Sequence, residues 1–455
     1  MSTISVLGLG KLGAPLAACL AAKGLHVIGV DTDSRKVEMI NQGHAPVFEP
    51  RLEEFIQASK GRLSAVGDIE KAVLASDVTF IVVATPSEPE GGFSLRYVQP
   101  ACEAIGRALR SKEAFHLVVL TSTVMPGTTG GPVRSILEKT SGKVAGRDFG
   151  LCYSPEFIAL GSVIHDFLNP DFVLIGESDP RSGAMLEELY KKVCENLPTA
   201  ARMSSMNAEI TKLSLNTYVT TKISFANMLA RICERLPGAD VDVVSAAIGL
   251  DRRVGRKYLK GAISYGGPCF PRDNIALAAL ARSVGAPADI AKATDQFNRS
   301  QIAWLASLAQ HYAQPGETIG ILGLAYKPDT DVIEQAAGTL LGKELASQGV
   351  SVVAYDPAAN GNVALSLGTK VGLTDSAQEC IERSAVVVVV TPWPEFSSLT
   401  PEQWGRHQTA RTVIDCWRIL DPSRLGAQIR YIPLGVGLPS GTALAAGPEK
   451  KGPVG

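Results

Sequence analysis

Residues 265–273 read Tyr265-Gly266-Gly267-Pro268-Cys269-Phe270-Pro271-Arg272-Asp273. The glycines and prolines make an irregular loop, and a helix-like pattern begins near Asp273. A thiol at such a helix entry, beside Arg272, favours its thiolate and is a competent nucleophile. The sequence also fits an inert Cys269, but Asp273, four residues on, supplies a proton acceptor. The other cysteines, at 19, 102, 152, 194, 233, 380 and 416, sit in apolar patterns that suit buried, unreactive thiols. With no CxxC, HxH or HExxH spacing, no metal centre is expected.

A second cluster carries binding chemistry. Gly8-Leu9-Gly10-Lys11-Leu12-Gly13 follows an apolar strand pattern and opens a helix. In that setting the first glycine permits a tight turn and the second lets a pyrophosphate approach the backbone. The third allows close helix–strand packing, and the helix N-terminus offers N–H groups to phosphates. Asp31 ends the next strand, 18 residues beyond Gly13, where a carboxylate accepts from ribose hydroxyls and repels a 2′-phosphate. NAD is therefore preferred to NADP, although Arg35 and Lys36 could instead welcome a phosphate. A dinucleotide fold with one activated thiol suggests capture of an aldehyde as a thiohemiacetal, then oxidation to an acid.

Three further groups could serve that chemistry. Lys212 and Asn216 are one helical turn apart and point the same way, either as a solvated face or as an oxyanion clamp. Thr121 to Thr128 (TSTVMPGT) and Ser154-Pro155-Glu156-Phe157 each follow a strand pattern. The C-terminal ends of parallel strands are where α/β sheets bind ligands, while simple turn chemistry explains the same residues.

The elements that must position these groups alternate. Ile4–Leu7, Val27–Val30, residues 78–83, Leu117–Leu120 and residues 172–175 read as buried strands between helical stretches such as 15–23 and 97–109. From Asn207 to about Ala313 the apolar spacing is helical, with a long helix to about Arg235 stopped by Pro237-Gly238. Strand patterns return at 318–322, 350–354, 386–390 and 413–415, with a helix over 339–348. The expected class is α/β, two Rossmann-like domains joined by a helical linker with a long central helix. The expected bounds are 1–200 for the first, NAD-binding domain, 201–314 for the helical linker, 315–440 for the second α/β domain, and a flexible tail over 441–455. With 44 Lys and Arg against 45 Asp and Glu, nothing favours a nucleic-acid or acidic-membrane partner. No apolar run approaches the ~18 residues of a membrane span and no leader pattern opens the chain, so a cytoplasmic protein is expected.

Ten motifs stand in one order: the glycine loop, Asp31, Pro46–Pro50 (PVFEP), Ala84–Pro86 (ATP), STVMPGT, SPEF, Lys212–Asn216 (KLSLN), GGPCFPRD, Leu324–Asp331 (LAYKPDTD) and Asp415–Arg418 (DCWR). In this the chain resembles the nucleotide-sugar 6-dehydrogenases, up to about residue 435. The resemblance implies an NAD domain, a dimerising helical linker and a domain for the nucleotide of the substrate. It also implies double oxidation of a sugar C6 alcohol to a carboxylate, with reduction of two NAD. Cys269 would carry the thiohemiacetal and thioester, and Lys212 and Asn216 would stabilise the oxyanion. Asp273, Glu156 and Thr123 would manage water and protons, with Glu156 the base for thioester hydrolysis. Gly8, Gly10, Leu12, Gly13 and Asp31 would hold NAD together with Lys36, Thr85, Thr123 and Arg272. Glu156, Phe157, Lys212, Asn216, Gly266 and Lys327 would meet the substrate, as would the segment Tyr258-Leu259-Lys260-Gly261-Ala262. Arg418 matches an arginine that reaches substrate, in one reading across a dimer.

Two positions depart from the family pattern. Leu160 stands where a second glutamate follows the SPEF-like motif, and Glu334-Gln335 replaces an Arg-Glu pair. Both missing groups contact NAD in the family, which puts the local cofactor contacts in question. The Cys-Phe-Pro-Arg-Asp loop resembles the UDP-glucose and GDP-mannose branches; PVFEP favours UDP-glucose, with UDP-glucuronate as product, while residues 141–149 also resemble GDP-mannose enzymes. Rival readings are a β-hydroxyacid dehydrogenase, which would need neither Cys269 nor a second α/β domain, and a non-catalytic nucleotide-sugar sensor.

Overall fold

The most uniformly apolar tetrads of the chain, Leu117–Leu120 (LVVL) and Val386–Val389 (VVVV), become fully buried inner strands of two sheets. Continuous apolar runs are what a parallel strand covered on both faces requires. The computed structural model describes residues 3–405 and 410–438. The segment 441–455, expected as a flexible tail, lies outside the described residues.

The first sheet comprises β1 (Thr3–Leu7), β2 (His26–Val30), β3 (Leu63–Val66), β4 (Val78–Ile81), β5 (Leu117–Leu120), β6 (Gly150–Tyr153), β7 (Phe172–Glu177) and β8 (Thr199–Ser204). Their order is β3-β2-β1-β4-β5-β6-β7-β8, parallel except where β6 meets β7 antiparallel, Tyr153 opposite Gly176. The second sheet holds β9 (Ile319–Leu322), β10 (Val352–Tyr355), β11 (Gly372–Leu373), β12 (Val386–Val389), β13 (Arg411–Asp415) and β14 (Ile429–Pro433). Its order, β11-β10-β9-β12-β13-β14, repeats the first six strands of the first sheet. Both sheets reverse direction beside their first strand, β1 or β9, the switch point at which doubly wound folds bind ligands. The class is thus α/β with two Rossmann-like sheets and a helical region between them in sequence.

Sequence patterning passed over β3, β8, β11 and β14, the four strands at the edges of the two sheets. β8 (TAARMS) is half-buried along its length and lies at the sheet edge, and β11 is a two-residue edge strand. An edge strand needs no continuous apolar run. The long helix spans Ser205–Cys233, 29 residues, or about 43 Å. The helix expected from about Asp273 instead begins at Phe270. The Asp273 N–H bonds Cys269 O at 2.8 Å, and Pro271, lacking an N–H, is harmless in a first turn.

The chain divides into two compact units. The first runs to Leu215 and includes Ala279–Ala286; the second takes Asn216–Ala278 and the chain from Pro287. In the first unit, apolar side chains from both sheet faces form two cores. In the second, Ile302, Leu305 and Ala309 of the helix Asp289–Tyr312 share one core with β9, β10 and β12.

Candidate active site

The glycine loop of the first unit has the geometry its residues dictate. Gly8 has φ +96°, where an L side chain is strained, and a Cβ there would lie 2.6 Å from Val82 O. A Cβ on Gly13 would collide with Gly8 O, whereas Gly10 faces open space. The helix Gly13–Ala22 starts without a side-chain cap. Open space over Gly10 and uncapped N–H groups fit a dinucleotide pyrophosphate. Asp31 accepts from the backbone N–H groups of Leu9 at 2.8 Å and Asp33 at 2.9 Å, which holds its carboxylate at the end of β2. Lys36 pairs with Asp31 at 3.2 Å and Arg35 with Asp33 at 2.9 Å, so each basic residue beside the loop has a carboxylate partner.

The loops after β4 and β5 are tied together at their strand ends. Thr85 donates to Thr123 O at 2.7 Å, and Ser122 donates to Val83 O at 2.6 Å. Glu209, wholly buried on the long helix, accepts from Gly127 N at 2.6 Å, Thr129 N at 2.7 Å and Thr129 Oγ1 at 2.6 Å. Burial holds its carboxyl above the ordinary value despite those donors. Glu49 of the PVFEP segment accepts from Gly161 N and Val163 N, both at 2.8 Å, and so anchors the loop that carries Leu160.

Glu156 stands in that same loop. Burial pushes its carboxyl up to about 7, against the opposing effects of a Tyr190 hydrogen bond and the Lys212 charge. Lys212 donates to Glu156 O at 2.5 Å, and its ammonium lies 4.5 Å from the centre of the Phe157 ring. A carboxyl poised near neutrality can take or give a proton at working pH.

In the second unit, Cys269 is exposed while the other seven cysteines are buried. It stands directly before the helix Phe270–Ser283. Asn216 Nδ2 donates to Asp273 Oδ2 at 2.6 Å, and Arg272 Nε lies 3.9 Å from Asp273 Oδ1. The preceding loop is held by its backbone. Asn298 accepts from Tyr265 N and donates to Tyr265 O, each at 2.9 Å, and Gly267 N donates to Glu334 O at 2.8 Å. A Cβ on Gly266 would strike Gln335 O, and one on Gly267 would lie 2.8 Å from the Tyr326 ring. The departing Glu334-Gln335 pair thus supports the thiol loop through main-chain groups, with both residues exposed.

The segment 258–262 is fixed from two sides. Asn227 accepts from Ala262 N at 2.7 Å and donates to Ile263 O at 2.8 Å, while a Cβ on Gly261 would lie 2.5 Å from Ala226 O. Leu259 and Ala262 are buried; Lys260 and Tyr258, the latter at φ +64°, are exposed. Arg418 donates to both Asp242 oxygens at 2.8 Å, to Gly261 O at 2.6 Å and to Leu434 O at 2.6 Å. Its guanidinium therefore braces the 258–262 segment within the chain. Lys327 is half-buried in the loop after β9.

Sequence reading passed over Glu209, Tyr190, Asn227, Asp242 and Asn298. Only Glu209 left a trace, three residues before Lys212 on the same helix face, where it reads as an ordinary surface pair. Among the described residues no cluster of His, Cys, Asp and Glu could hold a metal, and no helix is long and apolar enough to cross a membrane.

Comparison with known proteins matches this layout along most of the chain. Three models of the UDP-glucose/GDP-mannose dehydrogenase family match: the NAD binding domain over residues 2–194, the central domain over 206–300 and the UDP binding domain over 320–422. A UDP-glucose 6-dehydrogenase of Haloferax volcanii is 35% identical over 421 residues, 92% of this chain and 97% of that one. A GDP-mannose 6-dehydrogenase of Pseudomonas aeruginosa is 36% identical over 357 residues, 78% of this chain and 80% of that one. The solved structure of a UDP-glucose dehydrogenase from Pyrobaculum islandicum superposes with a TM-score of 0.87 at 34% identity, over 96% of this chain and 98% of that one. The chain belongs to the UDP-glucose/GDP-mannose dehydrogenase family and is an NAD-dependent nucleotide-sugar 6-dehydrogenase.

Proposed function

We propose that the enzyme oxidises the C6 alcohol of UDP-glucose twice, giving UDP-glucuronate through a thiohemiacetal and a thioester on Cys269. The observation that carries this reading is the exposure of Cys269 alone among eight cysteines, at the head of a helix that Asn216 and Asp273 hold. The glycine loop would hold NAD, which would supply the hydride acceptor for each oxidation. The Cys269 sulfur adds to the C6 aldehyde, and the Asn216 amide and Lys212 ammonium supply N–H groups for the oxygen that gains charge. In the last step water adds to the thioester carbonyl, its proton passes to Glu156, and the Cys269 thiolate leaves. Arg272, Thr85, Thr123, Leu12 and Lys36 are proposed cofactor contacts. Phe157, Lys327 and the 258–262 segment braced by Arg418 are proposed substrate contacts.

UDP-glucose is favoured because the relative aligned over 92% of the chain and the superposing structure at TM-score 0.87 are both UDP-glucose enzymes. GDP-mannose is the second reading, on the 36% identity of a shorter alignment. We place the enzyme in the cytoplasm as a homodimer. Tyr218, Phe225, Met228 and Ile232 support the dimer: they leave an exposed apolar stripe on the long helix, 40–61% accessible. The test is a screen of UDP-glucose, GDP-mannose and N-acetylated sugars for NAD reduction. Two NADH per UDP-glucose are expected; one per molecule would indicate hydroxyacid-type chemistry, and none with any sugar a sensor.

A further inference from the structure

Behind Glu156 lies a row of buried hydroxyls that the reaction as described leaves unused. Tyr190, on the helix Pro180–Val193, places its phenol oxygen 3.3 Å from Glu156 Oε1. The same oxygen is 2.9 Å from Ser154 Oγ, which in turn lies 2.9 Å from Leu174 O on β7. Tyr190, Ser154 and Leu174 are all buried. The antiparallel contact of β6 with β7, Tyr153 opposite Gly176, leads Ser154 to where its hydroxyl reaches Leu174 O.

The row can arrange its hydroxyl hydrogens in two ways. When Glu156 is ionised, the Tyr190 hydroxyl donates to it and the Ser154 hydroxyl donates to Leu174 O. When Glu156 is protonated, its own O–H can donate to Tyr190, Tyr190 to Ser154, and Ser154 still to Leu174 O. Each hydroxyl hydrogen has an acceptor in both states, and only the Tyr190 hydroxyl rotates. A buried donor without an acceptor is costly, so a row lacking Ser154 would penalise the protonated state.

We infer that Tyr190 and Ser154 are positioning residues forming a reversible hydrogen-bond chain, which lets Glu156 hold a proton or release it without stranding a buried hydroxyl. In the hydrolytic step the attacking water gives one proton to Glu156, the Tyr190 hydroxyl turns to Ser154, and no proton leaves the row. The inference rests on the proposed role of Glu156 as the base. Among the described residues four titratable groups face Glu156: Tyr190, Lys212, Cys19 on the helix Gly13–Ala22, and Cys194 just past the helix Pro180–Val193. Burial pushes both thiols up to about 12 and Tyr190 well above its ordinary value, so across neutral pH these three add no charge beside Glu156.

The chain makes a prediction that simple packing does not. Tyr190→Phe removes the donor to the carboxylate and should raise the pH at which Glu156 ionises. Ser154→Ala leaves that donor but deprives the protonated state of its acceptor, and should lower it. An infrared titration of the Glu156 carboxyl band, assigned with Glu156→Gln, reads this on the full-length enzyme without substrate. Shifts of opposite sign, about half a pH unit or more each, are expected; shifts of one sign, or none from Ser154→Ala, would overturn the chain. Should Ser154→Ala not accumulate folded, Ser154→Gly removes the same hydroxyl. The acidic limb of the NAD-reduction profile should move with each midpoint. Opposite infrared shifts with an unmoved limb would support the chain and remove Glu156 from the rate-limiting chemistry, so the two failures are distinct.

Discussion

Asn216 donates its side-chain amide to Asp273 across 2.6 Å, and both side chains are buried. Asp273 is in the first turn of the helix whose N-terminal neighbour is Cys269, and its N–H bonds Cys269 O. One short hydrogen bond therefore joins the long helix to the element that aims the thiol.

Asn216→Ala should destabilise the second unit by about 1–3 kcal/mol, because a buried carboxylate loses a donor. Turnover should fall by more than that loss explains, with the thiol loop less well held. Chemical denaturation beside kcat at one pH checks both. An unchanged kcat in the folded variant would separate this bond from catalysis.

Cys269→Ser should fold like the parent and make no sugar acid, because a serine hydroxyl is far less ionised than a thiol. Its exposed position at the helix entry leaves no core to disturb. Product analysis with circular dichroism tests the pair of expectations. Full acid formation by the serine variant would take Cys269 out of the mechanism.

NAD should be preferred to NADP, with Asp31 the cause. A carboxylate facing a 2′-phosphate costs roughly 1–3 kcal/mol, about a 5- to 150-fold preference. Lys36, 3.2 Å from Asp31, offsets part of that charge, which places the effect nearer the lower end. Asp31→Ala should narrow the ratio of kcat/KM values, and an unmoved ratio would contradict this assignment.

The raised carboxyl of Glu156 also sets a pH dependence of stability. Its folded value of about 7 exceeds the ordinary 4.5, so the folded chain binds more protons between these limits. Stability from this group is complete below about pH 4.5 and is lost as pH rises through 7. Glu156→Gln should therefore match the parent near pH 4 and exceed it above pH 7, by on the order of 3 kcal/mol at most. Thermal melts across that range read the difference, while acid formation should fall.

The exposed stripe of the long helix should prove to be a self-association surface. Phe225→Glu, at a position 44% accessible, should convert a dimer into a monomer in sedimentation. A parent that sediments as a monomer at all concentrations would refute the dimer.

Local chemistry is what the chain writes directly into its residue order. The glycine loop was legible because Gly8 and Gly13 answer constraints of the neighbouring turn and helix, and Asp31 because it ends an adjacent strand. Cys269 was legible for the same reason, since Gly266, Gly267, Pro268 and Pro271 mark an irregular entry to a helix. The helix start at Phe270 was less so, because two prolines obscured a first turn that needs few N–H groups. Tertiary structure alone decided which buried polar groups meet. Glu209 closes on the turn at Gly127–Thr129 across 82 positions of sequence, and Arg418 reaches Asp242 across 176. Such pairings depend on the order of strands and helices in space, which no local period encodes. The Glu156–Tyr190–Ser154 row exists for that reason: a desolvated carboxyl acquires its partners from strands and helices that only the folded sheet brings together.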